Sequence, residues 1–328
     1  MPGIEEQAQR TATTDEAPES RTLIRFTNWV LAAYFVGVLG TMLVLRVTPS
    51  VDVFFIFGLL GALLIGRGLA FIRDWGPFLF IFFAWEGMRG LANHFGQAVH
   101  SDGVIAVERA LMFGTVPTVS IQQWLRVPGT ISALDVAMTF VYVSHFFFPL
   151  ALAFFLWLRD RPRYYRFVTT LMAVSFAAFI TFLLFPVAPP RFAGSYGEQL
   201  AVTDVMGEVL ARANWTGFSW VYGNLVGNPV AAFPSMHAAY PLLVLLFLWE
   251  RWRLAALVWL PVTLVIWFAV VYLGHHYVVD VIGGAAYAVV GYVAFRYTDI
   301  SGTVVRAYRR AFSRVRADAS GMVRSIRR

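Results

Sequence analysis

Eight stretches of this chain are apolar over about the length that crosses a bilayer: roughly residues 24–45, 52–72, 75–92, 133–158, 165–186, 235–250, 254–273 and 276–297. A hydrocarbon core of ~30 Å offers no water to backbone N–H and C=O groups, so segments of this kind must satisfy those groups internally, as helices. The expected fold class is therefore all-α, a polytopic membrane helical bundle of about eight transmembrane helices. With 59% hydrophobic and 14% charged residues in 328, the chain is too apolar for a soluble domain of that length.

Charge distribution orients the bundle. All 26 basic residues are arginine, and with the N-terminus inside, twenty of them fall on the inner side and six (Arg46, Arg89, Arg109, Arg126, Arg191 and Arg212) on the outer. The net charge of +7 does not point to a nucleic acid partner, because the excess crowds a tail directly after the last span, from Arg306 to Arg328. Such a tail reads as cytoplasmic and lying against anionic lipid headgroups. The first 23 residues carry Glu5, Glu6, Asp15, Glu16 and Glu19 with no apolar core, so a disordered cytoplasmic N-terminus is expected there rather than a signal peptide. The chain has no cysteine, which removes disulfides and thiolate chemistry.

The expected organisation follows: 1–23 a disordered N-terminus, 24–72 two N-terminal membrane helices, 73–298 a membrane domain bearing the chemistry, and 299–328 a basic cytoplasmic tail. Two outer connections exceed a turn. Residues 93–132 contain amphipathic stretches at Ile105–Phe113 and Pro117–Val127 that suit the interface plane. Residues 187–234 are rich in Gly, Pro, Asn and aromatics, including Trp215, Phe218, Trp220 and Tyr222, and suit a cap at headgroup depth.

The assigned topology brings the end of the fifth span, the start of the sixth and the junction of the seventh and eighth to one extracytoplasmic face. Arg191, His237, His276 and Asp280 all fall there. In Gly274-His-His-Tyr-Val-Val-Asp280, His276 opens the last span with Asp280 four residues on, so a carboxylate can take the proton of one ring nitrogen and leave the other to attack. In Phe233-Pro-Ser-Met-His237, Ser235 can cap the sixth helix, whose exposed N–H groups favour an anion, and His237 in its first turn can donate a proton. Arg191 closes Phe185-Pro-Val-Ala-Pro-Pro-Arg191, where the prolines stop the fifth helix and direct a guanidinium suited to phosphate. Taken singly, each residue has a plainer reading as a packing histidine, a helix cap or a headgroup anchor.

These segments resemble the second and third motifs of the type 2 phosphatidic acid phosphatase superfamily, and in particular its branch containing inositol phosphorylceramide synthases, over roughly residues 75–297. The resemblance implies a six-helix core with His276 as nucleophile forming a phosphohistidine, Asp280 as its orienting partner, His237 as general acid and Arg191 as phosphate ligand. The chain departs from the phosphatase pattern at Leu184, where the first motif usually has a lysine, and at Ala269-Val270, where the third usually has Ser-Arg. Arg89, Arg109, Arg126 and Arg212 are the candidates to replace that charge, and Arg89 is favoured because Glu86 and Arg89 form a charged pair near the outer end of the third span. His275 and Tyr277, beside the nucleophile, are candidate substrate contacts. His145 reads as a packing histidine, and His94 and His100 as loop residues.

The expected function is a phosphotransferase of the plasma membrane that passes a phospho-head group from a phosphoinositol-type lipid to an alcohol. The alternatives are a lipid-phosphate or polyprenyl-diphosphate phosphatase and, from another class, a non-enzymatic lipid transporter or binding protein. The partners are a phospholipid or lipid-linked phosphate and the membrane. No cofactor is expected, and no metal, since the sequence has neither a His-Glu-x-x-His segment nor a carboxylate cluster.

Overall fold

The computed structural model describes residues 51–91, 98–145, 147–212, 230–308 and 310–311. Among the described residues the regular elements are all helical, and two isolated bridges, His100 to Val187 and Val187 to Ala231, supply the extended pairing. The first predicted span, 24–45, lies outside the described residues.

The longer helices are α1 (Val51–Leu64), α2 (Gly68–Leu91), α5 (Ala133–Ser144), α6 (Phe147–Arg159), α7 (Arg161–Leu184), α9 (Met236–Trp249), α10 (Arg253–Tyr272) and α11 (Val278–Tyr297). Three shorter helices, α3 (Asp102–Leu111), α4 (Pro117–Leu125) and α8 (Val205–Arg212), occupy the long connections together with a 3₁₀ turn at Pro190–Ser195. Four stretches among the described residues are long and apolar enough to cross a membrane: Ala133–Arg159, α7, α10 and α11. Helix α9 and the Phe55–Leu64 part of α1 are equally apolar but shorter.

Two predicted boundaries move. The second and third spans were expected to meet near Asp74, but the chain turns at Gly66, whose φ of +71° suits a glycine, and α2 begins at Gly68 and runs through Pro77. The predicted span 133–158 is described as α5, to Ser144, and α6, from Phe147, with residue 146 outside the described residues. Pro149 has no N–H to donate to the carbonyl of His145, four residues back, so one hydrogen bond of the ladder is missing here.

Helix α9 is central, packed on α10 and α11 and touching α6 and α7. The main core is aromatic, with Phe71, Trp75, Phe154, Trp157, Tyr164, Phe167 and Phe247 almost wholly buried. Leu254, Val258 and Leu264 on α10 and Ile282, Val290 and Val293 on α11 face outward, as expected where the surrounding solvent is lipid.

The helices alternate in direction, so the start of α7, the end of α9, the start of α10 and the end of α11 share the end of the bundle opposite the histidines. That end is built on two buried carboxylates. Asp74 accepts from Trp157 Nε1 at 3.0 Å and the Tyr165 hydroxyl at 2.9 Å, and pairs with Arg73 and Arg161. Glu250 ties Arg163, Arg166 and Arg296. The Asp74 side chain is 1% exposed, so removing it strands an indole N–H, a hydroxyl and a guanidinium at once. Asp74→Ala is predicted to destabilise the protein by about 2–4 kcal/mol, read as a lower midpoint in tryptophan-fluorescence thermal melts of the detergent-solubilised protein. An unchanged midpoint would show that Asp74 does not hold this end together.

Candidate active site

The site is formed where the starts of α9 and α11 meet. Ser235 caps α9, its Oγ accepting from Ala238 N–H at 3.3 Å, while its own N–H donates to the Asp280 carbonyl at 3.0 Å. Contact at this point is close enough to require glycine: a Cβ on Gly284 would lie 2.1 Å from the Ser235 carbonyl oxygen. On the other side of the histidines, Gly274 turns the chain out of α10 with φ +80°, its carbonyl accepting from Arg191 N–H at 3.1 Å, and a Cβ there would lie 2.8 Å from Val202. Two backbone hydrogen bonds and two glycines thus bring residues 191, 235, 276 and 280 to one place.

Within that frame His276 is 4% exposed. Its Nδ1 lies 2.9 Å from the Ala232 carbonyl and 3.5 Å from Asp280 Oδ2. A carbonyl only accepts, so Nδ1 carries the proton and Nε2 presents its lone pair. That Nε2 is 3.0 Å from His237 Nδ1, which therefore donates to it. The near partner of Nδ1 is not the one expected: its N–H donates to a backbone carbonyl of the segment before α9, with the Asp280 carboxylate behind it. Nor do His276 and Asp280 share a helical face, because α11 begins at Val278, after His276. Asp280 is fully buried, and its Oδ2 accepts the Tyr277 N–H at 2.8 Å, holding the turn that carries His276.

His237 is enclosed by aromatic rings. Tyr142 stacks on it at a centroid distance of 4.4 Å, and the His145 ring lies 3.9 Å away. His145 is 1% exposed with Nδ1 2.6 Å from the Tyr142 carbonyl, so the residue expected merely to pack lies against the proposed acid. His275 is also buried, with Nε2 3.8 Å from Asp204 Oδ1 and its ring 4.5 Å from Tyr142. Burial, reinforced by Arg191, holds His275 well below the ordinary histidine range, so it is neutral at physiological pH. Arg191 reaches the same spot with Nε 3.8 Å from Asp204 Oδ2 and its guanidinium over Phe192. Tyr277 is buried as the N-cap of α11.

The other expected residues divide. Ser235 uses its hydroxyl as the helix cap. Glu86 and Arg89 lie on α2, but their side chains, like the whole of His94, fall outside the described residues. Arg109 forms a two-pronged pair with Glu198, and Arg126 is tied to Asp135 and Glu208, so both candidate replacement cations are committed to carboxylates. Arg212 closes α8 on the surface. His100 is more than a loop residue: its backbone bridges Val187 and its ring stacks on Phe185 at 4.1 Å. Among the described residues no group of three or more histidines and carboxylates is arranged to hold a metal ion.

Two residues escaped the sequence reading, which names His145 only as a packing histidine. One is Asp204, described above, and the other is Glu108 on α3, whose residue is 0% exposed. Its two carboxylate oxygens accept the N–H groups of Val278 and Val279, each at 2.9 Å. Two donors of the first turn of α11, which no intrahelical carbonyl can satisfy, are thereby bonded from 170 residues away. Burial pushes the Glu108 carboxyl up, and the two backbone bonds pull it back down.

Residues 102–294 match the model of the PAP2 superfamily. The phosphoinositol dihydroceramide synthase of Bacteroides thetaiotaomicron is 30% identical over 165 residues, covering 48% of this chain and 52% of that protein. The inositol phosphorylceramide synthase of Candida albicans is 28% identical over 177 residues, 48% of this chain and 35% of its own length. The corresponding catalytic subunit of Schizosaccharomyces pombe is 29% identical over 171 residues, 50% of this chain and 40% of its own. The chain thus spans about a third to a half of the length of these curated relatives. No solved structure matches it.

Glu108 sets a test of the frame. Glu108→Ala leaves two buried helix-start donors unbonded and is predicted to cost about 2–4 kcal/mol of stability, whereas Glu108→Gln keeps one acceptor and costs less. Thermal melts of the two variants should rank wild type, Gln, Ala. Equal midpoints for all three would show that the α11 start does not depend on this carboxylate.

Proposed function

The chain belongs to the PAP2 superfamily, and on that premise we propose that it is an integral-membrane phosphotransferase, moving a phosphoinositol-type head group from a lipid donor to an alcohol acceptor through a phosphohistidine. The observation that carries the reading is the lone pair on His276 Nε2, fixed by the Ala232 carbonyl and facing His237 at 3.0 Å. In the first step Nε2 attacks phosphorus, the bond from phosphorus to the lipid alcohol oxygen breaks, and the departing oxygen takes a proton from the imidazolium form of His237. In the second the acceptor hydroxyl attacks the phosphohistidine, its proton passes to His237, the P–N bond breaks and His276 regains its lone pair. Asp280 lies 3.5 Å from Nδ1 and offsets the positive charge that the ring acquires on phosphorylation. Arg191 is the ligand for the phosphoryl oxygens. No step of this mechanism is routed through a metal.

Transfer is favoured over hydrolysis by the charge of the site. Leu184 and Val270 stand where the phosphatase pattern has cations, and Asp204 adds a carboxylate 3.8 Å from Arg191. A site with fewer cations and a nearby anion suits the monoanion of a phosphodiester better than the dianion of a phosphomonoester. The names of the relatives, all synthases that handle a phosphoinositol group, support the same choice.

His276→Ala is predicted to abolish turnover and the acid-labile phosphoenzyme trapped from labelled phosphatidylinositol; activity within twofold of wild type would end the proposal. His237→Ala should slow transfer from lipid alcohols about a hundredfold or more while sparing a nitrophenyl-activated donor, and equal losses on both would remove it as the acid. Release of inorganic phosphate from phosphatidic acid without an acceptor would favour the phosphatase reading.

We further propose that the histidine end faces outside the cytoplasm, with both termini inside, in a plasma-membrane enzyme. The arginine-rich connections at the opposite end support this orientation. Ser195 is exposed beside Arg191 in a chain without cysteine, so Ser195→Cys offers a single reporter. It should react with an impermeant maleimide on intact cells; labelling only after permeabilisation would invert the topology.

A further inference from the structure

We infer that the arginine-lined cavity at the end of the bundle opposite the histidines binds one phosphate-bearing anionic head group. The cavity has a volume of about 490 Å³ and lies between the start of α7, the end of α11 and residues 298–305. Its charged lining is Arg161, Arg163, Arg166 and Arg296 against Asp160 and Asp299, a positive excess. The two acids are already engaged, Asp160 by Arg163 Nη1 at 2.8 Å and Asp299 by Arg306 Nη2 at 2.5 Å.

What aligns the guanidiniums lies outside the lining. Glu250, 3% exposed, pairs with Arg163 Nε at 3.3 Å and Arg296 Nη1 at 3.0 Å, and also with Arg166. One carboxylate offers about four lone-pair sites, whereas three guanidiniums carry about fifteen N–H donors. Glu250 therefore fixes the direction of the three side chains and leaves most of their donors unused. Arg166 Nε is itself buried without a hydrogen-bond partner. Three oriented, planar donor forks in a cavity of this size suit the tetrahedral oxygens of a phosphate on a sugar-sized head group.

Location separates this site from the catalytic one. Helix α7 has 24 residues and α11 has 20, so ~30–36 Å of helix lies between the two ends. Phe295 and Val305 on the cavity wall are apolar, and the exposed apolar face of α11 leads up to it, so a head group still attached to its acyl chains can reach the arginines from the bilayer. The same chemistry admits a soluble polyphosphate.

The test uses full-length protein and native mass spectrometry after reconstitution in phosphatidylcholine vesicles containing a minor fraction of phosphatidylinositol monophosphate. Wild type should retain one phosphorylated lipid, and added salt should weaken retention. Ser301→Glu, which places a carboxylate in the lining without disturbing Glu250 or its arginines, should lower retention about tenfold or more. Arg163→Gln should do the same, but it also removes a partner of Glu250, so Ser301→Glu decides if that variant fails to fold. Arg191→Gln, at the other end, should leave retention unchanged. Retention unaffected by Ser301→Glu, or lost only with Arg191→Gln, would overturn the inference. The second arm replaces the lipid by inorganic pyrophosphate and reads thermal protection. Protection that Ser301→Glu removes, with no lipid retained above phosphatidylcholine, assigns the cavity to a soluble phosphate; neither retention nor protection would refute the site.

Discussion

Gly284 lets the backbone of α11 approach the Ser235 carbonyl to within a distance that any side chain would prevent, and the Ser235 N–H closes the same contact by donating to the Asp280 carbonyl. Everything at the histidine end follows from this junction. It sets the start of α9, and so His237, against the first turn of α11, and it brings the Ala232 carbonyl within 2.9 Å of His276 Nδ1. The His237–His276 pair is thus positioned by main chain rather than by long side chains, whose rotamer freedom would have to be lost to hold the same geometry. A second layer supports the first: Glu108 and the Asp280 carboxylate satisfy the N–H groups that the α11 start leaves unbonded.

Placing the tautomer under a backbone carbonyl has a chemical consequence. If a carboxylate alone held Nδ1, protonating that carboxylate would loosen the ring and weaken its basicity together. A carbonyl does not titrate, so the orientation of the ring does not hang on the charge of Asp280, and in the proposed mechanism that carboxylate remains available to offset charge on the ring. The two roles that one carboxylate was expected to fill are divided between two groups.

Much of this was legible in the sequence because it is local. Proline after α7, Ser235 before α9 and the His-His-Tyr turn before α11 mark helix ends directly, and alternating spans then bring those ends to one face. The missing donor at Pro149 was equally open to reading, and the turn at Gly66-Arg67-Gly68 carried its own glycines. Glu108, Asp204 and His145 could not be read in the same way. Each acts through contacts across about seventy residues of chain or more: Glu108 on Val278, Asp204 toward His275 by way of the cap, and His145 on His237. A buried carboxylate on an amphipathic helix looks in sequence like one more polar position on its wet face. The one available signal was indirect: the start of α11 has no Ser, Thr, Asp or Asn at its N-cap, so its first donors had to be satisfied from elsewhere.

The two ends of the bundle solve opposite electrostatic problems with similar parts. At the arginine end, Asp74 and Glu250 are buried carboxylates that gather guanidiniums, so a positive excess is held in fixed directions where the long membrane helices terminate. At the histidine end, the carboxylates of Glu108 and Asp280 are spent on backbone N–H groups and on one imidazole, while Arg109 and Arg126 are paired with acids of their own. Arg191 is left as the cation nearest the histidines among the described residues, and Asp204 stands beside it. If the arginine cavity binds as inferred, a polyanion is drawn more strongly to that end than to the histidine one. Under the proposed function that bias suits a substrate phosphate carrying a single charge, because the reacting end then gains little from binding phosphates more highly charged than the one it is proposed to transfer.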